Sequence, residues 1–343
     1  MVAGWVSMGL ARYVAVRASL IIPTILILYT LVFIILRILP GNPIIAALGT
    51  KNIPPEQLRQ LEHQLGLDKP LWVQYFDYLW NVLHGDFGTS LIIRGRSITQ
   101  DIIERLPATI ELSVFALMIS LGIGILSGLI ASIKRDTIVD KALRVFGAAT
   151  YALFIPWIGL MLQLVFSVWL NVLPVSGRID PSVNLHVVTG FYIIDSIITG
   201  NWAALRSALS HIILPAFTLG LILSGPYVRL ARNNMIKQLE SNYVFAYLAR
   251  GVREGKVIRH AFRNALIPIV TYAGLQFALL LGGAVLTETT FDWPGIGTYL
   301  VEKVAYRDYP AIQAVVIVFA FFVGLMSLIV DVLYAYLDPR VRY

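Results

Sequence analysis

Six stretches of the chain contain no Asp, Glu, Lys or Arg: residues 19–36, 112–133, 145–177, 207–228, 264–287 and 309–330. The shortest holds 18 residues, close to the roughly 20 that cross a bilayer's hydrocarbon core as a helix. Inside that core every backbone N–H and C=O needs an internal partner, and a helix supplies one within each segment. The pattern therefore predicts an all-α membrane protein with six transmembrane helices. The third stretch is too long for one straight helix, and Pro174 and Gly177 read as lying beyond its end. Residues 181–194 are also free of charge but number 14, which suits an interfacial or re-entrant piece better than a seventh span. Arg12 and Arg17 precede the first stretch as they would in a signal peptide. That stretch ends Ile35-Leu36-Arg37 with no small-residue cleavage site, so it reads as a retained helix.

Composition agrees and narrows the chemistry. Hydrophobic residues make up 57% and charged residues 14%, against roughly 45–50% and about 25% in soluble domains. With no cysteine, a disulfide scaffold, thiolate zinc site, iron–sulfur cluster and thiol nucleophile are all excluded. The net charge of +7 is unevenly placed. Segments 1–17, 132–144, 229–263 and 338–343 hold 16 of the 27 Lys and Arg and only 5 acids. Segments 37–106, 171–206 and 288–310 hold 11 basic and 13 acidic residues. The positive-inside rule puts the first set, and both termini, in the cytoplasm. The basic character thus reports topology and contact with anionic membrane lipid, not nucleic acid. The expected location is the cell membrane, with multiple spans.

The expected organisation is a cytoplasmic tail over 1–17, a first span over 18–38, an external loop or cap over 39–106, a core over 107–338 and a tail over 339–343. The external loop has turn chemistry in Pro40-Gly41-Asn42-Pro43 and Ile53-Pro54-Pro55-Glu56. A helical pattern through Leu58, Leu61 and Leu65 follows, then an aromatic run of Trp72, Tyr75, Phe76, Tyr78 and Trp80. That run fits an interfacial aromatic belt or a surface that meets an external partner. The segment 229–263 is helical in pattern, with Val244, Leu248 and Val252 on one face. A basic surface helix on lipid would explain its charge. An amphipathic helix offered to a partner's groove would also explain its small and aromatic residues ahead of Gly251.

The chain carries no catalytic signature. Gly251 to Val257 has neither the spacing nor the hydroxyl of a phosphate-binding P-loop. The spans hold no acidic or basic side chains of the kind that relay protons or ions, no inverted repeat and no regular arginine ladder. Glu111 and Asp331, near span ends, read as paired with interfacial groups, and His211 as a satisfied structural histidine. Gly124 and Gly128 form a G-x-x-x-G pair suited to helix packing. A solute path through such spans would be lined by uncharged polar groups, and the candidates are Gln163, Asn171, Ser224, Thr271 and Gln276.

Several short motifs, in order and spacing, resemble binding-protein-dependent ABC importer permeases, and most closely the first (B-type) permease of the oligopeptide/dipeptide branch. At the cytoplasmic segment these are Tyr247-Leu248-Ala249-Arg250-Gly251 and Arg259-His260-Ala261-Phe262-Arg263-Asn264-Ala265-Leu266-Ile267-Pro268. Elsewhere they are Leu39-Pro40-Gly41-Asn42-Pro43, Gly85-Asp86-Phe87-Gly88-Thr89-Ser90, Leu106-Pro107-Ala108-Thr109-Ile110-Glu111-Leu112, Phe291-Asp292-Trp293-Pro294-Gly295 and Arg307-Asp308-Tyr309-Pro310. The resemblance implies the type I ABC importer fold, with a second permease subunit, two ATP-binding subunits and an external solute-binding protein as partners. This chain would bind no cofactor; ATP and Mg would sit on the ATPase subunits. A coupling helix over about 242–255 would dock on an ATPase through Asn242, Tyr243, Ala246, Tyr247, Ala249, Arg250 and Gly251. The solute would be a peptide, with an oligosaccharide or a nickel complex as alternatives within the same machinery. A channel or membrane scaffold without an ATPase is the alternative of another class.

Overall fold

The structure, a computed structural model, describes residues 10–38, 54–64, 66–92 and 95–337. They form helices α1 (Leu10–Ile38), α2 (Pro55–Gln64), α3 (Leu71–Leu83), α4 (Ile98–Ile133), α5 (Ile138–Ala152) and α6 (Ile155–Leu162). α6 runs on as a π-helical stretch over Gln163–Trp169. Then come α7 (Tyr192–Ile198), α8 (Trp202–Leu239), α9 (Asn242–Ala249), α10 (Glu254–Gly283), α11 (Val285–Thr290), α12 (Ile296–Ala305) and α13 (Tyr309–Leu337). The turn predicted at residues 40–43 and the tail at 339–343 lie outside the described residues, as do most of the residues of tail 1–17.

α1, α4, α8, α10 and α13 are each long and apolar enough to cross a membrane. A sixth crossing exists where α5 and α6 with its π-helical extension count as one span, broken at an angle of 101°. The break has a local cause. Leu153 and Phe154 are extended, and Pro156 stands in the first turn of α6, where its missing N–H costs nothing and its fixed φ starts a new helix. The third charge-free stretch is therefore two helices at a sharp angle, ending before Pro174 and Gly177.

Helices outrun the charge-free stretches that announced them. α1 starts at Leu10, and α4 starts at Ile98, taking residues 98–106 from the predicted external loop. Ser97 caps α4 by accepting from the Gln100 N–H, with Asp101 in the first turn. Acidic residues suit that end of a helix dipole, so the helix begins more than three turns before Glu111, the charge that closed the apolar stretch.

Small residues set the packing of the bundle. Along α4, Ala108, Leu112, Ala116, Ser120, Gly124, Gly128 and Ser132 recur every four residues and are all buried. α8 carries its own buried row: Ala204, Ala208, Ile212, Ala216, Gly220, Ser224 and Val228. A Cβ on Gly128 would lie 2.6 Å from the Ala231 Cβ and 2.7 Å from the Val228 carbonyl, and one on Gly124 would overlap the Tyr227 Cβ. Close backbone approach of this kind is how membrane helices gain dispersion contact where water drives nothing together. α10 adds Ala265, Ile269 and Ala273 against Tyr227, Ala231 and Met235 of α8.

α3 lies along α1. Tyr75, Tyr78, Leu79 and Val82 pack on Tyr29 and Phe33 of α1 and Ile317 of α13, and the Tyr29 hydroxyl donates to the Tyr75 carbonyl at 2.6 Å. Trp72, Phe76 and Trp80 point away and are exposed. The aromatic run thus divides, with its tyrosines inward and the rest outward. The loops joining α4 to α5 and α8 to α10 form the basic end of the bundle; the described residues between α1 and α4, with the segments joining α6 to α8 and α10 to α13, form the acidic end.

Candidate functional site

At the basic end, α9 is a short helix between two long ones. Val244 anchors it at 4% exposure. The Tyr243 hydroxyl donates to Gln238 Oε1 of α8 at 2.9 Å. The Tyr243 and Tyr247 rings meet edge to face at 6.0 Å, and Tyr247 lies 5.6 Å from the His260 ring of α10. Both tyrosines are half-buried and hold α9 against its neighbours. Asn242, Ala246, Ala249 and Arg250 are exposed, and so are Phe245 and Leu248, two apolar side chains absent from the predicted docking set.

α9 ends in a Schellman motif. Gly251, at φ +71°, donates its N–H to the Leu248 carbonyl at 3.0 Å, and the Val252 N–H reaches the Tyr247 carbonyl at 3.1 Å. That left-handed residue stops the helix. The predicted 242–255 helix is therefore shorter: a helix over Asn242–Ala249, a turn through Gly251, and the first turn of α10 from Glu254. Arg135, in the α4–α5 loop, pairs with Glu240 just before α9, tying the two basic loops together.

The acidic end holds buried polar joints. Arg178 donates to Glu111 Oε2 through Nε at 3.1 Å and Nη2 at 2.6 Å. The pair is almost wholly buried, and the guanidinium also lies 3.8 Å from the centre of the Tyr192 ring. Beside it, Asp195 of α7 accepts from the N–H groups of Val188, Thr189 and Gly190 and from the Thr189 hydroxyl. Burial opposes the Asp195 charge, but these donors outweigh it and hold the carboxyl below the usual range. Glu288 of α11 is fully buried. It accepts from Thr109 at 2.7 Å and from the Thr298 N–H at 3.0 Å. Burial pushes its carboxyl up, against the pull of those donors. The Trp293 indole donates to the Ala108 carbonyl at 2.9 Å. Asp308 accepts from the Ser90 hydroxyl at 2.5 Å and the Leu91 N–H at 3.2 Å. Motifs far apart in sequence thus meet: 106–112 with 291–298, and 85–91 with 307–310.

The five polar residues proposed for a solute path are not brought together. Gln163 donates to the Val175 and Thr290 carbonyls. Asn171 lies past the π-helical stretch, exposed, at φ +50°. Ser224 is buried and bonds its hydroxyl to Leu221 within its own helix, as Thr271 does to Ile267. Gln276 is half-buried on α10. Glu111 pairs with Arg178 and Asp331 with Arg17 at 3.4 Å, while His211 bonds the Ser207 carbonyl of its own helix. A cavity of about 410 Å³ opens instead between α5, α8 and α10 at the basic end, bordered by Arg144, Tyr151, Arg229, Arg232, Asn233 and Tyr272. The sequence signal for it is Arg229 and Arg232, one turn apart just after the fourth charge-free stretch, a signal that the positive-inside rule alone also accounts for.

Two family models match. Residues 10–113 match the N-terminal region of binding-protein-dependent transport system membrane components. Residues 120–343 match the binding-protein-dependent transport system inner membrane component. The chain is 39% identical over 332 residues to the di/tripeptide transport system permease protein DppB of Pseudomonas aeruginosa, covering 96% of this chain and 98% of that protein. It is 39% identical over 336 residues to the dipeptide transport system permease protein DppB of Escherichia coli K12, covering 97% and 99%. It is 36% identical over 336 residues to the glutathione transport system permease protein GsiC of Salmonella choleraesuis, again covering 97% and 99%. With an all-α bundle of membrane-crossing helices and matches that run from the first span to the last, the chain belongs to the inner-membrane permease components of binding-protein-dependent transport systems.

Proposed function

We propose that the chain is one permease subunit of an ATP-driven peptide importer. It forms half of the solute path with a second permease and couples through α9 to one of two separate ATP-binding subunits, which hold the ATP and Mg. A solute-binding protein delivers peptide at the acidic end, which faces outward, and the basic end with both termini faces the cytoplasm. One observation carries this reading. α9 is held by Val244, Tyr243 and Tyr247 while Asn242, Phe245, Ala246 and Ala249 face outward, a short anchored helix of the kind that seats in a partner's groove. The full-length kinship with dipeptide permeases supports a peptide as solute. Thr271 and Gln276, on α10, remain the candidates for the mid-span lining.

The test is affinity purification of the chain from its native membranes in mild detergent, with proteins and retained small molecules identified by mass spectrometry. The expected outcome is a second permease, P-loop ATPases and a solute-binding protein in fixed ratio, with peptide as retained ligand. Recovery of the chain alone after cross-linking would favour a channel or scaffold, and a retained oligosaccharide or nickel complex would replace peptide as the solute.

A further inference from the structure

The cavity between α5, α8 and α10 has an unbalanced charge. Arg144, Arg229 and Arg232 border it, and one acid, Asp140, serves them. Arg232 grips Asp140 with two bonds, Nε at 2.6 Å and Nη2 at 2.7 Å, while Arg144 Nε lies 3.5 Å from the same carboxylate. Arg229 has no ion pair or hydrogen bond among the described residues. Tyr272 lines the same cavity. Three guanidiniums against one carboxylate leave the wall at +2, and Arg229 is the group with nothing to hold.

The cavity is open to solvent at Arg144, Tyr151 and Arg229 and has the size of a small-molecule site. Its volume, about 410 Å³, falls within the roughly 300–1,000 Å³ of small-molecule sites. It is floored where α5 and α8 touch backbone to backbone, since a Cβ on Gly225 would collide with the Gly147 carbonyl. Tyr151 and Tyr272 add aromatic surface beside the guanidinium. A guanidinium takes a carboxylate or phosphate through two parallel N–H donors.

We propose that this cavity is an oxyanion site on the cytoplasmic half of the path, where Arg229, supported by Arg144, receives the carboxylate of the incoming solute. The proposal rests on the importer reading. The positive-inside rule explains why an arginine stands at this end of α8. It does not explain why, of the three guanidiniums at this cavity, the one without an ion pair among the described residues stands beside aromatic walls, a combination that suits a carboxylate with an amino-acid side chain attached. A phosphate, free or on a lipid headgroup, presents related oxygen chemistry and is the competing source.

The test uses inside-out vesicles that contain the assembled transporter. Phenylglyoxal modifies accessible guanidiniums, and mass spectrometry follows the adduct on Arg229, with exposed Arg250 as internal reference. The ligands are dialanine, dialanine amide, inorganic phosphate and short-chain phosphatidylglycerol. Dialanine is expected to slow labelling of Arg229 about threefold at twice its dissociation constant, as mass action requires, with no change at Arg250 and no protection by the amide. Protection by phosphate or phosphatidylglycerol but not by dialanine would hand the site to phosphate. Equal protection by dialanine and its amide, or none by any ligand, would also overturn the assignment. As a second readout, Arg229→Gln should raise the KM for dipeptide uptake about tenfold or more, the scale of one charge-assisted hydrogen bond, with Arg229→Lys intermediate. An unchanged KM in Arg229→Gln would overturn the proposal. ATP-driven dipeptide uptake by the wild-type transporter separates the two failures. If uptake is normal and protection absent, only the oxyanion site falls; if there is no uptake, the importer reading falls and takes the site with it.

Discussion

Gly251 offers a test of coupling in which packing plays no part. Nothing lies within 4 Å of the position its Cβ would occupy, so a substitution there probes the backbone alone. At φ +71° an L-residue other than Asn or Asp pays about 1–2 kcal/mol for the left-handed conformation, which is a factor of roughly 5–30 in the occupancy of the turn. Gly251→Ala should therefore weaken the Schellman motif without a clash. Gly251→Asn, which tolerates this region, should stay near wild type. Gly251→Pro fixes φ near −65° and removes the N–H that bonds Leu248, so both the conformation and one of the two closing hydrogen bonds are lost. The assay is peptide transported per ATP hydrolysed, in proteoliposomes with the partner subunits. The expected order of coupling is Gly, then Asn, then Ala, then Pro, with membrane insertion unaffected because the cap is local. Wild-type coupling in Gly251→Pro would refute the docking role of α9. An Asn variant as poor as the Pro variant would refute the backbone argument and point to a partner that tolerates no side chain there.

Ala246→Glu places a charge on the exposed face of α9, and should lower transport per ATP hydrolysed while melting in detergent stays unchanged. Gly128→Leu forces side-chain atoms against the Val228 carbonyl and Ala231, and should destabilise by about 1–3 kcal/mol, seen as a lower melting temperature; Gly122→Leu, where nothing lies within 4 Å, should melt like wild type. Glu111→Ala leaves Arg178 buried without its carboxylate and should cost about 3–5 kcal/mol, with part recovered in Glu111→Ala/Arg178→Ala, a coupling that a double-mutant cycle measures. The lowered pKa of Asp195 means its stabilisation is full above the unfolded carboxyl value of about 3.9 and is lost as pH falls through the folded value. Asp195→Asn should melt lower than wild type at pH 7 and show a shallower loss below about pH 4, where the wild-type advantage disappears.

The bundle was legible because the bilayer imposes one rule on every span. A charge ends an apolar stretch, and each membrane-crossing segment shows that sign. The helix ends do not follow it, because hydrogen bonding continues past the first charge when a cap such as Ser97 supplies a start. The packing was half legible. Gly124 and Gly128 stood out as a pair, yet they are two of seven residues in a row from Ala108 to Ser132, and a period of four over 25 residues is a stronger signal than one glycine pair. The short α9 lies in the loop where its pattern places it, and it ends at Gly251 rather than running on to 255. Spacing alone does not show that Tyr243 and Tyr247 also pack on Gln238 and His260, because those contacts are made across the fold.

The buried charges show where sequence stops and packing begins. Glu111, Arg178, Glu288 and Asp308 all lie near the acidic end and are buried; Asp308 has Lys303 five residues away, but each of the four also bonds a group far off in the chain. Glu111 meets Arg178 across 67 residues, Thr109 meets Glu288 across 179 and Ser90 meets Asp308 across 218. Sequence shows that each of these groups needs a partner, because burying a charge alone is too costly. It does not show which partner, because that choice is made by helix order and packing. The short motifs singled out in the sequence are where those partners meet: Thr109 and Ala108 on one side, Trp293 and the 295–298 turn on the other. Taken singly each motif is a few residues of weak signal. Brought together they join α4 to the α11–α12 segment and the loop before α4 to the start of α13, and that is the reason their joint spacing along the chain carried more information than any one of them.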